Sequence, residues 1–467
     1  MRVIACMIIV FMFPSLSLAD DSPTDDWSKS GNYTISWYNK NQTEFTLNTA
    51  KELAGMVVIV NNGYSDFEGK TIKLGADIDL SGKNWTPCGT FKGIFDGMGH
   101  TINGININIV SEDTQCEFGF WKRLENASVR NLILNGDACI EVKNHEWDLT
   151  NTYFGGIVGY CKGDGVIENC ETRMDIRFVR HRVYSLSNAI NPNHWSYIGG
   201  IVGYSEFAIK YCKHIGNLSC ELPESFTVQA IVMGGIVGRA GNIQFCENIS
   251  SKISLRDNQT EYFYHRYIGG ICGLSYGNLL CCRSIIDTIE IKHLRKTTCE
   301  NYTYLGGIVG AKGQAKAVNC YSSISNVIFD VKDLSSQFNY GAIGSDEQMS
   351  KACFSNNDTA LNIIFSGGVV KSCLYDGSTS FSSSQMQTPA FLEELNMYSM
   401  FEMDGPVWTQ DAEGGYPYIA SLYASEILPV VSDYEDKASL VYSLFGQRLN
   451  APKKGINIVG GRKVIIK

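Results

Sequence analysis

A chain of 467 residues with 44% apolar and 19% charged residues can bury a substantial core, which excludes a disordered polymer. Its formal charge of −9 gives no basic footprint, so no nucleic acid partner is expected. Beyond the N-terminal region no run reaches the ~18 apolar residues of a membrane helix, so no transmembrane segment is expected.

Residues 1–19 carry Arg2, then an apolar run, then Ser17-Leu18-Ala19 before Asp20. This is the pattern of a secretory signal peptide, and it predicts a secreted or outer-cell-surface location. Residues 20–114 read as an N-terminal cap with the first rungs of a repeat structure. TISWY at 34–38 predicts an early strand. Thr49 with Glu52 three residues on forms a capping box, and Gly63 is a natural stop. Leu53, Met56, Val57 and Val60 share one helical face, so 49–62 predicts a helix that plugs the open end of the repeat structure. TIKL and ADIDL then read as short strands. Asp77, Asp79 and Asp96 suit ordinary turn chemistry. Calcium binding and catalysis are the alternatives for these three, and no other cofactor is expected.

From 115 to 375 the chain repeats itself. GGIVG stands at 155–159, 199–203, 234–238 and 306–310, with GGICG at 269–273 and a worn copy, YGAIGS, at 340–345. The first glycines, Gly155, Gly199, Gly234, Gly269 and Gly306, are separated by steps of 44, 35, 35 and 37 residues. FGFWKRLENASVRNLILNG at 118–136 is a divergent copy. Near-constant spacing marks a repeat architecture. Each unit holds short runs with alternating polarity, as in SSKISL and DTIEIK, and alternation is strand chemistry. Such strands cannot bury their apolar faces alone, but stacked units cover one another. The expected class is all-β: a right-handed parallel β-helix, or β-solenoid, with about three strands per turn, capping helices and a small C-terminal β tail. A propeller is the fallback. The glycines suit a corner or a close backbone approach.

A second series accompanies the glycines: Cys170, Cys212, Cys246, Cys282 and Cys320 end successive short runs. Stacked strands lie ~4.8 Å apart. The series therefore reads as a ladder of small buried side chains or as inter-rung disulfides, and no paired CxxC spacing favours a metal. The insertion 172–197 gathers cations and aromatics. Arg173, Arg177, Arg180, Arg182, Tyr184, Trp195 and Tyr197 are the candidate ligand surface, with a solvated strand face as the plainer reading. HEWDL at 145–149 lacks the second His of a zinc peptidase helix.

The repeats fade near 375. Residues 376–419 read as a C-terminal cap, with Thr388 as N-cap and Pro389 at the first helical position. Residues 420–437 read as a linker, and 438–467 as three short strands, LVYSLFGQRL, INIV and KVIIK.

The GGIVG units resemble GLUG-motif repeats, and the likeness covers about 115–375. The resemblance implies a secreted or surface protein of the Bacteroidetes with an adhesin-like, structural role. Such repeats also stand beside peptidase domains in some immunoglobulin-A-cleaving proteins. The family brings no catalytic residues. The final stretch resembles the C-terminal sorting tails of type IX secretion, a likeness carried by Gly446, Arg448, Gly455, Gly461 and Lys463 to Lys467. The function expected is thus an adhesin-like solenoid binding a glycan or a host or matrix protein. A β-helix polysaccharide lyase or glycoside hydrolase and a non-binding spacer are the alternatives. No nucleophile, phosphate loop or metal-catalyst motif points to an enzyme.

Overall fold

The computed structural model describes residues 25–111, 116–143, 151–181, 195–223, 230–258, 264–293, 301–312, 316–331, 337–341, 343, 350–351, 354–355, 362–365, 369–373, 379–402, 406–412, 414–423, 441–443, 448–449, 455–459 and 462–466. The expected signal peptide, Arg182, Tyr184 and HEWDL lie outside the described residues. Two units divide at Leu422 and Tyr423.

The first unit is a parallel β-solenoid whose rung comes directly from the repeat. Thr152–Gly155 runs into Gly156 and Ile157, and the chain turns there. It leaves as Val158–Lys162, turns again into Val166–Glu168, and finishes as the long strand Glu171–Arg180. We call the four resulting faces inbound, outbound, narrow and wide. Among the described residues they form parallel sheets of 8, 7, 10 and 12 strands respectively. A rung therefore has four strands, not the three expected. The double glycine splits one apolar run into two strands on different faces.

Register confirms the period. Gly155 pairs with Gly199, then Gly234, Gly269, Gly306 and finally Gly341 of the worn copy. The divergent unit aligns too, with Phe118 opposite Phe154 and Trp121 opposite Val158. The second glycine of each motif has no room for a side chain. A Cβ on Gly235 would stand 2.2 Å from the Gly270 carbonyl oxygen of the next rung, and one on Gly270 would stand 2.0 Å from that of Gly307.

The cysteines mark the opposite corner, between the narrow and wide faces. Each stands after a residue of positive φ: Asn169, Tyr211, Phe245, Cys281 and Asn319, between 49° and 55°. Asn adopts that conformation readily; Tyr211 and Phe245 are held there by stacking on each other at 4.7 Å. Cys170, Cys212, Cys246, Cys282 and Cys320 are buried free thiols. Each donates to the carbonyl two residues before it at 3.2–3.4 Å.

At the N-terminal end the capping box forms as expected. Thr49 Oγ1 accepts from the Glu52 amide at 3.3 Å and Glu52 Oε2 accepts from the Thr49 amide at 3.1 Å, opening the helix Ala50–Asn61. Leu53 to Val60 are buried against the core. TISWY is not a strand. The Trp37 indole donates to the Thr34 carbonyl at 3.0 Å and closes a turn, so the first strand is Glu44–Leu47.

At the other end Thr379–Ser380 pairs with Phe354–Ser355, and the helix Pro389–Glu402 comes next, with Thr388 Oγ1 accepting from the Phe391 amide. This segment lies along the flank of the rungs. Arg283 reaches the Pro417 carbonyl at 2.8 Å, and Glu247 accepts from the Ile419 amide at 2.7 Å. The stretch read as a linker begins as a short helix, Ala420–Tyr423. In the second unit the expected strand LVYSLFGQRL is two strands, since Tyr442 pairs antiparallel with Arg448. With Gly455–Val459 and Arg462–Ile466 they make a four-stranded antiparallel sheet.

A candidate ligand trough beside the double-glycine bend

The bend at each GGIVG turns the inbound and outbound faces toward each other on the outside of the solenoid. Side chains that alternate outward from the two strands therefore meet. The inbound contributors pair in register as Tyr153, Tyr197, Val232, Tyr267 and Tyr304. The outbound ones are the residues directly after each motif, Tyr160, Tyr204, Arg239, Leu274 and Ala311, preceded by Arg123 in the divergent unit.

Rings pack along and across this trough. Tyr153 stacks on Tyr197 at 5.4 Å and on Tyr160 at 4.9 Å. Tyr267 stacks on Tyr304 at 5.1 Å. The rung between them has only Ala230 and Val232. Trp195 bridges that gap, lying 5.8 Å from Tyr267 with the rings 6° from parallel. Stacks of this kind stabilise neighbouring strands, and their edges and hydroxyls line the trough.

Toward the N-terminal end the trough opens into a cleft of about 1230 Å³. Its walls come from the end of the capping helix and the segment after it (Asn61, Ser65, Asp66), from Thr90, from Glu117, Lys122 and Arg123, and from Asn151 and Tyr153. Arg123 grips both carboxylate oxygens of Glu117, with Nε 3.0 Å from Oε2, and lies 5.1 Å over the Tyr160 ring. Burial pushes the Asp66 carboxyl up, but the Glu68 amide and the Lys92 ammonium hold it below its ordinary range. Burial drives the Tyr197 phenol up to about 12 despite Arg239 beside it. The Tyr160 phenol is raised by burial and by Glu206, which accepts its hydrogen bond at 3.1 Å. At neutral pH the site thus presents the neutral phenols of Tyr160 and Tyr197, the ionised Asp66 carboxylate and guanidinium groups.

The candidate surface read from the sequence is divided by this geometry. Arg173 and Arg177 stand on the wide face, against Glu171 and Glu221. Arg180 is 0% exposed and points inward, where it donates to Thr152 Oγ1 at 2.8 Å. Its place as a surface residue is corrected by strand parity, since Met174, Ile176 and Phe178 face the core on the same side of the strand. Trp195 and Tyr197 belong to the trough, although Tyr197 is only 2% exposed and its hydroxyl accepts from Arg239. Arg239, Tyr204 and Arg123 were missed; the residue directly after each GGIVG was the available signal.

Two interior features complete the setting. Behind Tyr267, Arg266 is fully buried and donates to Asp257 from Nε at 2.8 Å and from Nη2 at 3.1 Å, with His293 Nδ1 against the same carboxylate. Burial would raise the Asp257 carboxyl, but Arg266 and His293 hold it at about 2. Behind the bend, Thr172, His214, Asn248, Ser284 and Ser322 form an inward polar column. His214 Nδ1 lies 2.9 Å from Thr172 Oγ1, and burial pushes its pKa down to about 4. The three early aspartates serve turns and pairs: Asp77 binds the Thr101 amide, Asp79 the Ser81 amide, and Asp96 Arg130 and Asn131. Among the described residues no three His, Cys, Asp or Glu side chains are grouped to hold a metal ion, and no helix is long and apolar enough to cross a membrane.

Fold and site together define a class: a parallel β-solenoid of tandem double-glycine rungs with an aromatic trough along one outer angle. No family model and no curated protein sequence matches the chain. Among solved structures it is similar to a protein described as a "putative immunoglobulin A1 protease" from Bacteroides ovatus, with 16% identity, a TM-score of 0.37, and coverage of 82% of this chain and 93% of that one.

Proposed function

We propose that this chain is an exported, adhesin-like interaction protein of a bacterial surface, of the GLUG-repeat kind. In this reading it holds an extended saccharide chain in the trough between the inbound and outbound faces. Residues 1–19 act as the export leader and 438–467 as a sorting tail. The observation that carries the reading is the continuity of the polar, tyrosine-edged cleft with the ring-lined trough. Rungs repeat every ~4.8 Å, close to the rise of one sugar residue in an extended chain. Phenol hydroxyls and guanidinium groups then meet successive sugar hydroxyls in step. A concave site with a few convergent polar groups is the ordinary form of a small-ligand or oligomer site. Hydrolysis is not favoured. A general acid needs a raised carboxyl pKa, whereas Asp66 is held low and Glu117 is clamped by Arg123.

Affinity electrophoresis of the exported chain through neutral and acidic polysaccharides and mucin tests this, with new reducing or unsaturated ends measured in the same samples. Retention without products is expected, with loss of retention in a Trp195→Ala, Tyr204→Ala double variant. Products would overturn the binding-only reading. Retention on no polymer would overturn the saccharide reading altogether.

A further inference from the structure

Along the outbound column two arginines occupy matching positions with different partners. Arg123 is neutralised by Glu117. Arg239 lies 5.0 Å over the Tyr204 ring and 4.3 Å over the Tyr276 ring, and its Nη1 donates to the Tyr197 hydroxyl at 3.4 Å. Among the described residues no carboxylate pairs with it. Glu206, two positions beyond Tyr204, is engaged by other donors, accepting from Tyr160 at 3.1 Å and from the Gly163 amide at 2.8 Å. Two rings thus fix a half-buried guanidinium by cation–π contact, and most of its donor fork is unspent. Flanking it in the column are Tyr204 on one side and Leu274 on the other.

A cation held in this way and lacking a counter-ion is preorganised for an anion. The planar fork matches a carboxylate in a two-point grip. We propose that Arg239, clasped by Tyr204 and Tyr276, is the anchor for a carboxylate-bearing sugar residue, so that the trough selects acidic over neutral saccharides. This rests on the reading of the trough as a saccharide site and adds its substrate class. Tyr276 is 56% exposed, so its ring can act as the outer wall on which the sugar closes.

The test uses the full exported chain with hyaluronan and polygalacturonate, the carboxyl-reduced form of each, and dextran sulfate. Dissociation constants are measured at low and moderate salt. The expected result is binding of the carboxylated polymers that is lost on carboxyl reduction and weakened about 10- to 100-fold by Arg239→Gln, the worth of a charge-assisted hydrogen bond. Arg239→Lys should recover part of it. Tyr276→Ala removes the outer, more exposed ring of the clasp and should weaken binding with only a small fall in the unfolding midpoint, which keeps the test usable if Arg239→Gln disturbs folding. Equal binding of carboxyl-reduced polymers, or wild-type binding by a folded Arg239→Gln, would overturn this inference and leave a neutral saccharide trough standing. Tighter binding of dextran sulfate than of either carboxylated polymer would overturn the carboxylate assignment. Binding of none would overturn the inference and the saccharide reading together.

Discussion

The wide face and the Arg239 rung of the trough both display arginine, and they use it oppositely. On the wide face cations and anions alternate along neighbouring rungs. Arg177 lies 3.5 Å from Glu221, while Lys252 and Lys292 each sit 2.7 Å from Glu290. In the trough Arg239 has rings instead of carboxylates. A third setting lies inside, where Arg266 is sealed against Asp257. The number of arginines in a stretch therefore says little. What each one faces decides whether it stabilises, solvates or binds.

The largest effect that would break this comparison lies inside. Arg266→Ala leaves the buried Asp257 carboxylate with His293 alone, and losing one partner of a buried pair costs about 3–5 kcal/mol. Urea denaturation should show that loss. A cost below about 1 kcal/mol, the range of an exposed pair, would mean that water reaches Asp257 and that the interior and outer settings differ little.

The next effect depends on pH. The unfolded chain protonates His214 near its ordinary 6.5, and the folded chain only near 4. The His214 contribution is therefore fully present above pH 6.5, is lost as pH drops from 6.5 toward 4, and changes no further below, a change of about 3 kcal/mol at most. His214→Asn copies Asn248 of the next rung and should flatten that part of the profile. Equal slopes for the two proteins would place the His214 ring in contact with solvent.

Gly235→Ala drives a Cβ against the Gly270 carbonyl and Asn248. It should cost about 1–3 kcal/mol and disturb the trough's bend, whereas Gly241→Ala meets nothing within 4 Å and should be near neutral. Equal midpoints for the two variants would show that the corner relaxes freely.

Much of this was legible in the chain. GGIVG spacing pointed to the rung, Thr49 and Glu52 to the capping helix, and the cysteine series to a ladder of buried side chains. The fourth strand was not legible, because a run such as YFGGIVGYC is continuously apolar and its bend depends on the glycine of the next rung. Arg180 was misplaced because its neighbours in sequence were weighed instead of its parity. Its alternation with Met174, Ile176 and Phe178 pointed inward all along. The trough was hidden for another reason. Tyr204, Arg239 and Tyr276 come from different rungs, and only the register brings them together.

The smallest predicted effect is the most discriminating for the comparison. Among the described residues Arg173 and Arg177 are the exposed arginines of the candidate cluster read from the sequence, and each pairs with a carboxylate on the wide face. Exposed pairs of this kind are worth about 0.5 kcal/mol or less. An Arg173→Ala, Arg177→Ala double variant should therefore unfold within that margin of the parent and bind acidic polysaccharide with unchanged affinity, while Arg239→Gln does not. If the double variant loses binding instead, the wide face carries the ligand, and its network of paired charges is opened by the ligand rather than left idle.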